Sequence, residues 1–206
     1  GAGEERLIVA RDPFGIKPLL YAELPGNGLV FASELKAIVA SGLVEGEIDP
    51  VALRDLLAVG AVYQPRTMIK GVRALLPGRI AVHSATGRRE RRYWRLGVDR
   101  VAGLREASDS EAVEAAREAL RRSVRRQLVS DVPVCAFLSG GIDSALTTAF
   151  MAEHHNARVC TYSVGFDGAA RAIDETGDAA QVARHLGTDH HEVRIGDRDI
   201  VDLVGR

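Results

Sequence analysis

The chain has 206 residues, 46% hydrophobic and 27% charged, which supplies a buried core for one ordinary domain or two small ones and argues against disorder. Lys and Arg number 27 against 28 Asp and Glu, a formal net charge of -1. That balance excludes a nucleic-acid binder working by bulk positive charge, though not a local basic patch. The two cysteines, Cys135 and Cys160, make neither a disulfide framework nor a CxxC zinc motif. No apolar run nears the roughly 20 residues that cross a bilayer, and no basic-then-apolar leader opens the chain, so no membrane partner and a cytoplasmic setting are expected. The chain opens at Gly1, close to an apolar run, and is expected to be a piece of a longer protein.

The first half reads as short strands and turns. Leu7 to Ala10 is an apolar strand candidate, and Arg11-Asp12-Pro13-Phe14-Gly15 is a turn by its Asp, Pro and Gly. Leu19 to Tyr21 and Leu29 to Phe31 are two more strands, joined through Pro25-Gly26-Asn27-Gly28 as a hairpin. Ser33 is placed to cap a helix from Glu34 to Val39. Asp49-Pro50 starts another, with Asp as cap and Pro at the first helical position; Val51, Leu53, Leu56 and Leu57 are its apolar stripe and Gly60 its end. Arg79 to His83 and Glu90 to Trp94 form a closing hairpin. Residues 96–107 lack periodicity and read as a linker between a domain over 1–95 and another over 108–206.

In the second half, Ser108 and Glu111 form a capping box ahead of a helix with Val113, Ala116, Leu120, Val124 and Leu128 on one side. Val132 to Leu138 is an unbroken apolar run, as expected of a parallel strand buried on both faces. A helix over Ala145 to Glu153, a second buried strand over Arg158 to Phe166, a helix over Thr176 to Leu186 stopped by Gly187, a strand over His191 to Ile195 and a helix starting near Ile200 follow. Strand alternating with helix is the pattern of a doubly wound parallel α/β sheet.

The informative segment is Ser139-Gly140-Gly141-Ile142-Asp143-Ser144, between strand and helix. Two glycines let a ligand approach the backbone. Free amides at the helix start, with the positive end of its dipole, make an anion site, and Ser139 and Ser144 add hydroxyls. Asp143 fits beside phosphate when a Mg²⁺ lies between them; the blander reading, in which Asp143 and Ser144 only cap the helix, stays open at this point. The phosphate reading requires the loop amides to be unspent. The segment is neither a Walker A loop nor GxGxxG, and no lysine follows Lys70.

SGGIDS resembles the pyrophosphate loop of the ATP-pyrophosphatase superfamily. RDPFGIKPLLY and LVFASELKAI resemble the late part of a class II glutamine amidotransferase domain. Joined in this order to SDVPVCAFLSGGIDS, TYSVGFD and HLGTDHHE, they are similar to the glutamine-hydrolysing asparagine synthetase family, over nearly the whole chain. The resemblance implies a partial Ntn-hydrolase-type glutaminase domain followed by the first half of a doubly wound α/β synthetase domain. It implies ATP and Mg²⁺, with Ser139, Gly140, Gly141, Asp143 and Ser144 on the phosphates, Asp143 toward the metal, and backbone at Leu138, Val164 and Gly165 around adenosine. It implies an ATP-dependent amide ligase that activates the aspartate side-chain carboxylate as an acyl-adenylate for attack by glutamine-derived ammonia. Aspartate and glutamine or ammonia would be the other small-molecule substrates, and a homodimer of the full-length parent is an open assembly.

Departures qualify the resemblance. The N-terminal Cys nucleophile of a class II glutaminase is not in this chain, so no glutaminase activity is expected of it, and the family's later acidic segment is absent too. Cys135 stands where Gly is usual and is expected to be buried; Ala145 stands where a second Ser is usual. A related amide ligase such as a β-lactam synthetase, or a catalytically inactive binding piece, are the alternatives. The His154-His155 and His190-His191 pairs are read as structural or surface residues rather than metal ligands, because adjacent side chains point apart and no carboxylate or histidine spacing completes a site. The basic run Arg88 to Arg92 is read as a solvated hairpin in preference to an RNA contact, and Asp174-Glu175 as a helix cap in preference to a magnesium-proximal role.

Overall fold

The computed structural model describes residues 6–97, 107–154, 158–167, 174–196 and 199. The chain divides into two compact units, Gly1–Asp99 and Arg100–Arg206.

In the first unit, β1 (Arg6–Ala10) pairs antiparallel with β5 (Arg79–Ser84), which forms a hairpin with β6 (Gly87–Arg92). A second sheet has β2 (Leu20–Leu24) between β3 (Gly28–Ala32) and the short β4 (Arg73–Ala74). Strand side chains alternate between faces, and β2 uses both. Tyr21 packs with Leu75 and Ala81 toward β5, while Ala22 packs with Ile38 and Val72 beneath α1 (Leu35–Ala40). The unit is therefore sheet on sheet with a helix outside, and β2 is its spine. The β2–β3 turn runs through Pro25–Asn27, as the Pro-Gly-Asn-Gly string requires.

Arg11 is 5% exposed, and its guanidinium is satisfied by the carbonyls of Leu75, Gly15 and Lys17 and by Gln64 Oε1 at 2.7 to 3.1 Å. A buried guanidinium needs such partners to offset its desolvation. The Asp12 carboxylate accepts the amides of Phe14, Ile16 and Lys17. The Lys17 amide above all holds its pKa below the ordinary range. A depressed carboxylate contributes stability above its unfolded value, about 3.9, and loses it as pH falls through the lower folded value. Asp12→Asn is thus expected to melt below the wild type at neutral pH, with the gap closing as pH is lowered through and beneath that range. Melts at stepped pH would check this; a gap independent of pH would contradict it.

The helix α2 (Pro50–Val59) starts and stops as the sequence predicts. Asp49 accepts the Val51 and Ala52 amides, and Gly60 ends the helix at φ 74°. Its anticipated apolar stripe is not buried: Leu57 is 79% exposed, and the helix buries Ala52 instead. The Ser33 cap is also corrected. Residue 34 is the first flanking position and caps through no side chain; Ser33 lies one residue too early to reach the first-turn amides. In the hairpin, the Arg88 guanidinium lies 4.1 Å over the Tyr21 ring and pairs with Glu90 and Glu23, so the basic run is in part a packing element.

The second unit opens with α3 (Asp109–Gln127), whose capping box is formed: the Glu111 amide donates to Ser108 Oγ, and Glu111 Oε2 accepts the Ser108 amide. No residue of α3 is buried. It packs along α4 (Ile142–His154) through Arg121, which donates to Glu153 at 2.9 Å. Three parallel strands follow in the order β7 (Cys135–Phe137), β8 (Cys160–Phe166), β9 (Asp189–Ile195), with α5 (Thr176–Leu186) between the last two. Successive right-handed crossovers in one direction put their helices on one face. On that face Thr161 and Ser163 are buried, and Leu138 packs with Ala179 and Ala183 of α5.

The opposite face corrects the expectation of strands buried on both sides. It carries Phe137, 79% exposed, with Val164 and Val193 partly exposed. Burial alternates along β8 because the described helices cover one side. Within Val132 to Leu138 only three residues form a strand, and Cys135 is exposed rather than buried. The helix expected from Ile200 lies outside the described residues, as does most of the 96–107 linker. Among the described residues no helix is long and apolar enough to cross a membrane.

Candidate functional site

The loop leaves the carboxyl end of β7 and enters α4, the position at which parallel α/β sheets hold ligands. Helix α4 begins at Ile142 rather than Ala145, so Asp143 and Ser144 sit in its first turn. The loop's hydroxyls face each other: Ser139 Oγ and Ser144 Oγ are 2.9 Å apart. Gly140 is required for space, since a Cβ there would lie 2.9 Å from Asp178 Cβ and 3.3 Å from its carboxylate.

The loop amides are not bare. Ser139 N donates to Ser144 Oγ, Gly141 N to Ser139 Oγ, and Gly140 N to Glu175 Oε2, each at 3.2 Å. This departs from the expectation of unspent amides. All three acceptors are exposed side-chain oxygens at the long end of hydrogen-bond range, and hydroxyls can rotate. The Gly140 partner is itself an anion, brought from the start of α5.

A pocket of about 450 Å³ opens beside the loop, lined by Leu138, Ser139, Ser144, Val164, Phe137, Tyr162 and Glu175 among others. It unites Ser139 and Ser144 with Leu138 and Val164. Gly140 and Gly141 stay on the loop outside this lining, and two further predicted residues stand elsewhere. Asp143 lines a neighbouring pocket of about 510 Å³ against α3, which Ser144 also borders. Gly165 is buried against α5, where an added Cβ would meet Thr176 at 3.0 Å and the Arg194 guanidinium at 3.3 Å; it lets β8 and α5 close up. The Leu138 side chain is 2% exposed, leaving backbone as what it offers a ligand.

Glu175 is read from sequence first as a helix cap and only second as magnesium-proximal, and Arg194 has no site role there. Arg194 joins Asp167, just past β8, to Asp174, just before α5, at 3.0 and 2.9 Å. Asp174 accepts the Thr176 amide and hydroxyl, and the amide bond leads in holding its carboxyl below the ordinary range. Asp174 thus anchors the start of α5, while Glu175 is free of that task and turns to the loop. His190 bonds Thr161 and Ser163 on the helix-covered face, the structural role anticipated for it.

The molecule is of the class in which a two-sheet unit precedes a parallel α/β unit with a Gly-rich strand-to-helix loop. Residues 1–94 match the model of the glutamine amidotransferase domain, and 115–206 that of asparagine synthase. Among curated proteins the chain is similar to asparagine synthetase [glutamine-hydrolyzing] 3 of Bacillus subtilis, 33% identical over 209 aligned positions, 95% of this chain and 33% of that protein. It is also similar to the amidase chyE of Penicillium rubens, 33% identical over 208 positions, 94% of this chain and 30% of that protein. Asparagine synthetase [glutamine-hydrolyzing] 1 of Bacillus subtilis is 32% identical over 185 positions, 89% and 28% of the two chains. The chain belongs to the glutamine-hydrolysing asparagine synthetase family, carrying amidotransferase and synthase portions in that order. It spans about a third of the length of the curated relatives it matches.

Proposed function

We propose that this chain carries the nucleotide site of an ATP-dependent amide ligase that adenylates the aspartate side-chain carboxylate and amidates it with glutamine-derived ammonia. The observation that carries the reading is the Glu175 carboxylate held on the Gly140 amide at the mouth of the β7–α4 loop. A loop that recruits a carboxylate from 35 residues away is electropositive enough to hold a phosphate oxygen in its place. Ser139 and Ser144 would add hydroxyl donors, and the pocket wall at Val164, Tyr162 and Phe166 offers a flat apolar bed for adenine.

Glu175, which reaches the loop, and Asp178, whose carboxylate lies beside Gly140, would offer a magnesium ion hard oxygen donors of the kind Mg²⁺ takes beside phosphate, whereas Asp143 lines the neighbouring pocket. When bound, the metal would neutralise phosphate charge. The chain's own part is positioning: the glycines admit the polyphosphate to the backbone, the hydroxyls orient it, and Leu138 fixes the loop to the core.

ATP with Mg²⁺ is expected to protect the Gly140 to Ser144 amides from hydrogen exchange, displacing Glu175 from Gly140. Absence of protection at millimolar nucleotide would count against the reading. A second reading, a related ligase acting on another carboxylate such as a β-lactam synthetase, draws on the two similar proteins named amidases. Substrate-dependent ATP–pyrophosphate exchange by the full-length protein separates the two. A purely binding role predicts that no carboxylate supports exchange.

A further inference from the structure

The second unit holds a set of metal-type donors that the loop chemistry does not use. Cys135 pairs with Cys160 across β7 and β8, and Cys160 with Asp189 across β8 and β9. Parallel partners project from the same face, and so do residues two further along, which puts Tyr162 and His191 in the next row of that face. The Cys160 thiol, an Asp189 carboxylate oxygen and a His191 ring nitrogen all lie within 4.8 Å of one another. His191 points away from His190 and toward these two other donors.

The spacing is informative. His191 Nε2 is 3.4 Å from Asp189 Oδ2. Two ligand atoms each about 2.0 to 2.1 Å from a tetrahedral zinc are about 3.3 to 3.4 Å apart, so this separation is one edge of such a tetrahedron. Cys135 is the register partner of Cys160 on β7, but its thiol is not among the donor atoms that lie within 4.8 Å of one another. Tyr162 stacks on the His191 imidazole, with centroids 5.0 Å apart and planes 26° apart, and so fixes the ring. A simple His–Asp ion pair would account for two of these groups but gives no reason for the Cys160 thiol to join them.

We propose that Cys160, Asp189 and His191 bind a divalent cation of the zinc type, with solvent in the fourth position. Thiolate and imidazole donors select such an ion over Mg²⁺ or Ca²⁺. The Cys160 thiol releases its proton to solvent on ligation. Cys160 and Asp189 are each the first residue of their strand, whereas the loop follows the other end of β7, and the Tyr162 that stacks on His191 lines the nucleotide pocket. The donors are exposed or half-buried, so the ion enters without any opening of the fold.

Cobalt(II) is the probe, added without nucleotide to the chain held reduced by a phosphine. One equivalent is expected to bind with thiolate-to-cobalt charge-transfer absorption and the d–d bands of tetrahedral cobalt, and zinc should displace it. Cys160→Ser should abolish the charge-transfer band, and His191→Ala should weaken binding at least about tenfold. Far-UV circular dichroism checks that each variant folds; should Cys160→Ser not fold, the exposed His191 position decides. A folded, reduced wild type that gives no charge-transfer band, or folded variants with unchanged bands and affinity, would overturn the proposal.

Discussion

Gly78→Ala is expected to unfold the first unit at markedly lower urea than the wild type. Gly78 has φ +65°, and a Cβ there would stand 2.6 Å from the Trp94 carbonyl oxygen and 3.2 Å from its carbon. A non-glycine residue at such an angle costs about 1 to 3 kcal/mol, and the overlap with backbone adds to that because no rotamer relieves it. Backbone cannot yield cheaply here. Gly78 N donates to Asp12 O, and Gly78 O accepts both Tyr93 N and Trp94 N, so three segments meet on one peptide. Trp94 is the single tryptophan, its ring 5.0 Å from that of Phe14, and its fluorescence reports the junction directly. Gly71→Ala is the control: φ is +79° with nothing within 4 Å of the added Cβ, so only the conformational cost applies. Equal losses for the two variants would show that the contact with Trp94 contributes nothing.

Local chemistry was legible wherever it is fixed by a few neighbouring residues. Asp49 and Ser108 cap their helices as the sequence predicts, because a cap needs only a side-chain oxygen and amides two or three residues on. Apolar spacing was less informative. It identifies the side of a helix that would be covered and says nothing of whether a partner covers it, which is why Leu57 and Val113 point to solvent. The run Val132 to Leu138 misled for a related reason. Hydropathy marks it as strand throughout, yet Pro133 has no amide to give a ladder, and pairing begins only at Cys135.

The loop itself was read from its glycines, but its partners were not. Glu175 reaches Gly140 across 35 residues, and Arg194 ties Asp167 to Asp174 across 27 and 20. No fixed spacing announces such contacts; they arise only once β8, α5 and β9 are stacked. The cysteine and histidine donors were dismissed on the same ground. Cys160, Asp189 and His191 form no sequence motif, and it is strand register that brings them to one face.

Leu138→Ala is expected to couple these two levels, the core and the loop. Leu138 is the last residue before Ser139, is 2% exposed, packs on Ala179 and Ala183, and donates its amide to Tyr162 O at 2.8 Å. Truncating a buried leucine costs about 2 to 5 kcal/mol. The upper part of that range is expected because the two flanking alanines have no side chain that can swing into the space. The loss should also reach the site, since the same α5 that Leu138 packs against is preceded by Glu175. Amide exchange across Ser139 to Ser144 should therefore quicken, and protection by ATP with Mg²⁺ should weaken, even where the variant remains mostly folded. Leu138→Met keeps most of the volume, a kind of swap that usually costs less than about 1.5 kcal/mol, and should restore both readouts. Exchange mass spectrometry on the β7–α4 segment, alongside urea unfolding, measures them together. Slow exchange in the loop of a destabilised Leu138→Ala variant would mean that the hydroxyl pair of Ser139 and Ser144 holds its shape without the core beneath it.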